Sequence, residues 1–405
     1  MRPIFRRRFR RLLWMPLVMA AACIRTGAPP GATPQQSPDP SDITGEAWRW
    51  ADSAASRMTL ERKVGQLFMP AVYASADGGT LRLLRGYVAD CHVGGIVLLK
   101  GTLEEAALLA DTLASMSPTG LFIAIDAEWG LSMRLDGAPE FPDNSRLGAT
   151  ADELMMYDYG REMARECRLT GINMLLGPVV DVVESRRSVI GRRSFGADPH
   201  RVADLAVAYA RGVESGGVLS VAKHFPGHGS PAVDSHKQLP VIERGWEALD
   251  SIDLYPFRRY IESGLSGVMV GHLAVSAVDT LRRSAAMSPP VVSGLLIGRM
   301  GFRGLVLTDA LNMGGAAGYE AWRPLEAGAD IVVAPVATVE AVASTLEALR
   351  DGTLSIESVE RACRKVLFYK YLVGAGKRRR IDRRGLAGDV ASPEAADVQR
   401  RLLSE

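Results

Sequence analysis

Apolar, β-branched runs alternate with amphipathic helical stretches through most of this chain, from near Trp48 to about Gly374. Eight such runs can be read, over residues 65–72, 94–99, 121–126, 173–181, 218–224, 267–273, 304–309 and 330–335. Their near-continuous Val/Ile/Leu/Ala character fits strands buried on both faces rather than the in-out alternation of a one-sided sheet. Between most of them lie segments with helical periodicity, such as 103–116, 153–169 and 199–215. Eight repeats of strand then helix predict a parallel α/β fold of the TIM (β/α)8 type, expected over residues 45–375.

The ends of these runs carry polar groups. Asp126 ends the third, Asp181 the fourth, Lys223 and His224 the fifth, His272 the sixth and Asp309 the seventh. A parallel barrel aims every C-terminal strand end at one face, so these side chains are expected to converge. Any single carboxylate there could instead cap a helix, a reading that suits Asp181 best. The densest stretch is Lys223-His224-Phe225-Pro226-Gly227-His228-Gly229, followed by Asp234-Ser235-His236. Its proline and glycines forbid a helix and place the polar residues on a strand end and the loop after it.

The chain has 405 residues, 47% hydrophobic, with a formal net charge of +2. The first 23 residues hold six arginines and no acid, so without them 42 basic side chains face 46 acidic ones. That balance gives no reason to expect a nucleic-acid partner. The arginines precede an apolar run from Leu12 to Ala22, too short to span a bilayer. This is the pattern of a signal peptide over residues 1–23. Ala20-Ala21-Ala22-Cys23 resembles a lipobox, which marks Cys23 for lipid attachment and implies an exported, membrane-anchored lipoprotein of the cell envelope. Residues 24–44, rich in Pro, Gly, Ser and Gln, are expected to form a tether. Cys91, Cys167 and Cys363 lack metal-binding spacing and are expected to be buried free thiols. Residues 376–405 are expected to form a basic tail and a short helix capped by Ser392.

Several segments, in order, resemble glycoside hydrolase family 3, specifically its β-N-acetylglucosaminidase branch. They are the stretch from Met58 to Met69, Asp126-Ala127-Glu128-Trp129-Gly130 with Arg134, Ile190 to Phe195, the Lys223–Gly229 stretch, Val268 to His272, and Thr308-Asp309-Ala310-Leu311-Asn312-Met313. The resemblance implies that Asp309 is the nucleophile of a retaining glycosidase, with His236 as acid/base and Asp234 as its partner. It implies that Asp126, Arg134, Arg193, Lys223 and His224 hold the terminal sugar, and His272 at the sixth strand end joins this set. The expected reaction releases terminal β-linked N-acetylglucosamine, or another N-acetylhexosamine, from cell-wall or chitin-type oligosaccharides by double displacement, without metal or cofactor. Many family members add a second domain that supplies a glutamate acid/base. The histidine-loop version needs none, in keeping with a chain in which only a short helix follows the barrel.

One departure stands out. Between Met313 and Ala327 the intervening segment is short and contains Pro324, so the seventh helix is expected to be shortened or displaced. Three rival readings remain at this level: a β-glucosidase or β-xylosidase of the same family, a non-catalytic sugar-binding lipoprotein, and a zinc hydrolase using His224, His228, Asp234 and His236. Lys223 argues against the last, since it would set a cation against the metal.

Overall fold

The computed structural model describes residues 40–183, 188–229, 239–316, 318–377 and 380–403. Cys23, the signal segment, most of the tether, Asp234 and His236 lie outside the described residues. The eight strand runs are all present: β1 (Phe68–Met69 and Ala71–Ala74, either side of Pro70), β2 (Gly95–Thr102), β3 (Phe122–Ile125), β4 (Met174–Leu175), β5 (Leu219–Phe225), β6 (Gly267–Val270), β7 (Leu305–Thr308) and β8 (Val332–Val333). Neighbours pair in parallel from β1 through β7. β8 closes the ring: it pairs with β1 at Phe68↔Val332 and Met69↔Val333, and a bridge joins Leu307 of β7 to Ile331. The fold is therefore the (β/α)8 barrel, and most strand residues are buried on both faces, as their unbroken apolar character requires.

The helices follow α1 (Pro40–Ser56) in the order α2 (Gly78–Ala89), α3 (Leu103–Ala114), α4 (Glu153–Leu169), α5 (Pro199–Ser215), α6 (Leu254–Glu262), α7 (Arg323–Ala327), α8 (Thr338–Arg350), α9 (Ile356–Leu372) and α10 (Pro393–Leu403). Each of α2 to α5 starts at a residue chosen for it. Asp77, Thr102, Asp152 and Asp198 accept hydrogen bonds from backbone N–H groups of the first turn. α4 and α5 pack at very short range through glycine: a Cβ on Gly160 would lie 2.1 Å from the Tyr209 carbonyl oxygen, and one on Gly212 2.1 Å from that of Tyr157. The seventh helix is the shortened one. It has five residues, and Pro324 sits in its first turn, where a missing N–H costs nothing.

One boundary differs from the sequence reading. The folded unit begins at Pro40, ahead of residue 45, because α1 runs on through the expected end of the tether and packs on α9: Trp48 stacks on Phe368 at 4.3 Å and Arg364 pairs with Asp52 at 2.6 Å. The C-terminal helix is present as expected, with Ser392 Oγ accepting from the Ala395 N–H at 3.3 Å, and it packs on the barrel. Ala395, Val398 and Leu402 bury one face of α10, Arg401 pairs with Asp158 of α4 at 2.9 Å, and Arg165 donates to the carbonyls of Asp389 and Val390, both at 2.8 Å. An amphipathic helix with an apolar stripe finds a partner, here the outer side of α4.

Candidate active site

A cavity of about 630 Å³ opens at the C-terminal ends of the strands. Asp126, Arg134, Arg193, Lys223, His224 and Asp309, all expected there, line it together. Their arrangement is a chain of ion pairs. Arg134 donates to Asp126 through both Nη2 to Oδ2 (2.7 Å) and Nε to the backbone oxygen (2.8 Å). Lys223 Nζ lies between two carboxylates, bonded to Asp126 Oδ1 and 2.8 Å from Glu128 Oε1. Glu128 in turn holds the Arg193 guanidinium as a fork, 2.7 Å from Nη2 to Oε1 and 3.0 Å from Nε to Oε2. The register explains the meeting: Asp126 and Glu128 follow β3, Lys223 lies near the end of β5, and the intervening β4 bonds to both strands.

Burial opposes every charge in this cluster, and the partners prevail. Burial pushes the Asp126 carboxyl up, but Lys223, Arg134 and Arg193 hold it well below the usual range. Glu128 is likewise held low by Lys223 and Arg193 against burial. Lys223 is held high by Asp126 and Glu128. All three are ionised at neutral pH.

Asp181 does not cap a helix. It is fully buried, and its carboxylate accepts from the ring of His224 (Oδ2 to Nδ1, 2.7 Å) and from the backbone N–H groups of His224 (3.2 Å) and His228 (2.7 Å). Burial raises its pKa, but attraction and hydrogen bonds from His224 and His228 bring it down to about 2. The fourth run reaches this depth because pairing continues past β4, with Val180 N–H donating to the Lys223 carbonyl at 2.8 Å. Arg193 Nη2 lies 3.1 Å from His224 Nε2. Arg193 can only donate and Asp181 can only accept, so the imidazole carries its proton on Nδ1 and offers Nε2 as an acceptor. The loop after β5 is clamped beside it: Gly227 has φ 124°, and a Cβ on Gly229 would lie 1.8 Å from the Val182 carbonyl oxygen.

Asp309 follows β7, anchored by its own N–H to the Val270 carbonyl at 2.8 Å. Its Oδ1 accepts from the Ala310 N–H at 2.8 Å. Burial raises its pKa, and the imidazoles of His224 and His272, the Ala310 N–H and Lys223 together bring it below the ordinary value. His272, expected to touch sugar, is placed differently. It is fully buried, its Nδ1 is 3.0 Å from Ser284 Oγ, and its Nε2 is 3.3 Å from the Asp309 carbonyl oxygen. It is absent from the cavity lining among the described residues. That carbonyl can only accept, so Nε2 donates to it, and the ring braces the backbone beneath the carboxylate.

Among the polar and aromatic lining residues, Glu128, His228 and Trp129 were not named as sugar-binding or catalytic residues from sequence, although His228 was a ligand in the rival zinc reading. Glu128 was visible only as the third residue of the Asp-Ala-Glu segment, His228 as part of the stretch after β5, and Trp129 only as a neighbour. The Arg192 guanidinium lies over the Trp129 ring, 5.2 Å from its centroid. No group of metal-ligating side chains is found among the described residues. Cys91, Cys167 and Cys363 are free and buried.

Comparison with known proteins bears on the family of the chain. The glycosyl hydrolase family 3 N-terminal domain matches residues 59–368. A β-N-acetylglucosaminidase/β-glucosidase of Cellulomonas fimi is 29% identical over 380 residues, covering 90% of this chain and 67% of that protein. A β-hexosaminidase of Methylococcus capsulatus is 35% identical over 328 residues, 78% of this chain and 93% of that one. Among solved structures, a glycoside hydrolase family 3 β-N-acetylglucosaminidase from Paenibacillus sp. str. FPU-7 superposes with a TM-score of 0.80 at 31% identity, over 85% of this chain and 68% of that one. With the barrel closed and these motifs gathered at one end of it, the chain belongs to glycosyl hydrolase family 3.

Proposed function

We propose that this glycosidase releases terminal β-linked N-acetylglucosamine, or a related N-acetylhexosamine, from oligosaccharides with retention of configuration. The observation that carries the mechanism is the isolation of Asp309. Asp126, Glu128 and Asp181 are each bonded to a lysine, arginine or histidine side chain, whereas the Asp309 carboxylate accepts only the Ala310 N–H among the described residues. It is an ionised carboxylate facing a cavity, with an oxygen left to react.

The chemistry follows from that. Arg134, Arg193 and Lys223, preset by Asp126 and Glu128, present N–H groups toward the sugar without having to reorganise, and His224, fixed by Asp181, holds the Arg193 guanidinium in place. An Asp309 oxygen attacks the anomeric carbon as the bond to the leaving oxygen breaks, and a proton passes to that oxygen. Water then attacks the same carbon, gives up its proton and frees Asp309. We assign the proton transfers to His236 with Asp234 as its partner, on sequence alone. An unperturbed imidazole pKa near about 6.5 suits a group that must donate and then accept. The names of the Methylococcus and Paenibacillus proteins support the N-acetylated sugar, with Arg193 the residue assigned to its acetamido group. The Cellulomonas protein's double name keeps glucosides in the test.

A 2-fluoro sugar that arrests the covalent intermediate should label Asp309, and products followed by NMR at early times should be β. Asp309→Ala should lower kcat by roughly 10⁴-fold or more with an unchanged melting temperature. Label on another residue, or α product first, would remove the nucleophile assignment. Glucosides cleaved as fast as N-acetylglucosaminides would remove the substrate class and leave the mechanism standing.

We also infer export and lipid attachment at Cys23, supported by the Arg-rich start, the short apolar run and the Ala-Ala-Ala-Cys end. The enzyme would then work at the cell envelope. Wild type should fractionate with membranes in a host that processes lipoproteins, and Cys23→Ser should not. Wild type found free in the periplasm would refute the anchor.

A further inference from the structure

A separate cavity, of about 360 Å³, opens at the N-terminal ends of the strands, between α1, the segment before β1, the end of α2 and the loop before β3. It shares no lining residue with the active-site cavity. Trp50, Met58, Val88, Val93 and Met116 give it apolar walls. Its ionisable lining residues are all basic: Arg57 and Arg62, both exposed, and the half-buried His92. No carboxylate lines it among the described residues, and neither arginine has an ion-pair partner there; Arg57 Nη1 donates to Ser53 Oγ at 3.0 Å.

The polar floor is also set to donate. Gln66 is only 4% exposed, its Oε1 accepts from Lys370 at 2.6 Å, and its Nε2 donates to the His92 carbonyl at 2.8 Å. Those two contacts decide which end of the amide carries the hydrogens. A side-chain amide has two N–H groups, and the second on Nε2 has no acceptor among the described residues. The same contact holds His92 at φ 54°, a left-handed conformation that a histidine seldom adopts, beside the cavity it lines.

We propose that this cavity binds a small organic anion, a carboxylate carried on an apolar body, remote from the reacting centre. Guanidinium groups pair with a carboxylate through parallel N–H bonds, and the spare Gln66 N–H adds a buried donor. Trp50, Met58 and Met116 offer polarisable apolar surface to the body of such a ligand. The volume suits a small molecule rather than a chain segment, lying at the low end of the range of about 300–1,000 Å³ for ligand pockets. A cationic ligand meets three basic groups and no counter-charge, so the site discriminates by sign. Trp50 and Arg57 belong to α1, whereas Gln66 and His92 precede β1 and β2, so a bound anion ties α1 to the mouth of the barrel.

The test titrates the purified full chain with 4-phenylbutanoate, 4-phenylbutylammonium, acetate and inorganic phosphate, by calorimetry and by tryptophan fluorescence. The phenylbutanoate should bind saturably with a dissociation constant below about 1 mM and raise the melting temperature. Acetate and phosphate should bind at least about tenfold more weakly, and the ammonium analogue should show no saturation. Arg57→Ala combined with Arg62→Ala should weaken phenylbutanoate by about tenfold or more, with cleavage of 4-nitrophenyl N-acetylglucosaminide unchanged. Trp50→Phe should remove the fluorescence response while calorimetry still detects binding. Equal binding of the ammonium analogue, or an affinity unchanged in the double arginine variant, would overturn the proposal. So would competitive inhibition of glycoside cleavage by phenylbutanoate, which would put the anion in the active site instead.

Discussion

Among the described residues two lysines are buried, and they are treated in opposite ways. Lys223, at the C-terminal end of β5, has its ammonium between the carboxylates of Asp126 and Glu128, and although burial pulls its pKa down the two anions lift it above the ordinary value. Lys370, on α9 at the other end of the barrel, donates to Gln66 Oε1 at 2.6 Å and the Gly120 carbonyl at 2.9 Å, and lies 5.8 Å from the centroid of the Phe122 ring. Its partners are dipoles, not charges, and burial brings its pKa down to about 7. Hydrogen bonds alone satisfy the donors, but only counter-charges keep a cation charged in a low-dielectric site. At the C-terminal face, where a sugar must meet fixed cations, Lys223 is given two counter-charges; Lys370 at the opposite end is given none.

Lys223→Met tests the first half of that contrast and should have the larger effect. It removes a donor from the cavity and leaves Asp126 and Glu128 facing each other without the cation between them. A fall in kcat/KM of at least about a hundredfold is expected. Lys223→Arg should not restore it, since a planar guanidinium does not fit a side chain only 2% exposed between two acids. Near-normal kinetics in either variant would mean that the cluster is scaffolding rather than sugar-binding machinery.

Asp181→Asn is a milder change to the same face. An amide can donate as well as accept, so the tautomer of His224 is no longer fixed, and kcat/KM should fall roughly ten- to a hundredfold. Stability supplies a second readout. The folded pKa of about 2 lies below the ordinary carboxyl value of 3.8, so the ionised carboxylate stabilises the fold above about pH 4, and that contribution is lost as pH falls toward 2. Melting temperature against pH should therefore drop less steeply in the variant over that window. An unchanged acid limb would show that Asp181 is not ionised by its histidine neighbours.

The contrast also shows what a sequence can disclose. The eight strands are legible because strands buried on both faces leave unbroken apolar runs, and Asp309 and Lys223 are legible because each ends or nearly ends such a run. The short α7 announces itself through Pro324 and the short spacing after Met313. Glu128 is less legible: its importance lies in Arg193, 65 positions away, and in Lys223, which only barrel closure brings near. Asp181 has the sequence context of a helix cap, and only the continued pairing of 179–180 with β5 sets it under His224. His272 has a strand-end position like the others, yet its ring points to Ser284 and the Asp309 backbone, a direction no pattern of residue types encodes. Lys370 is the least legible of all, a lysine in the middle of an amphipathic helix that reads as surface until Gln66 and Gly120 close over it.

That lysine gives the smallest effect and the clearest separation of the two ends. Lys370→Met should leave kcat and KM unchanged, because the side chain is remote from the cavity. Its absolute effect on stability mixes two terms: relief of a buried amine, and loss of the donors to Gln66 and Gly120. The pH dependence isolates the first. An unfolded lysine keeps its proton up to about 10.5, whereas the folded one releases it near 7, so between these limits unfolding takes up a proton and rising pH stabilises the fold. Wild type should therefore gain on Lys370→Met as pH rises from 7 to 9.5, by roughly 2–5 °C in melting temperature. A difference that stays constant with pH would mean that Lys370 remains charged in the folded protein, and the contrast with Lys223 would then be one of partners without a difference in charge.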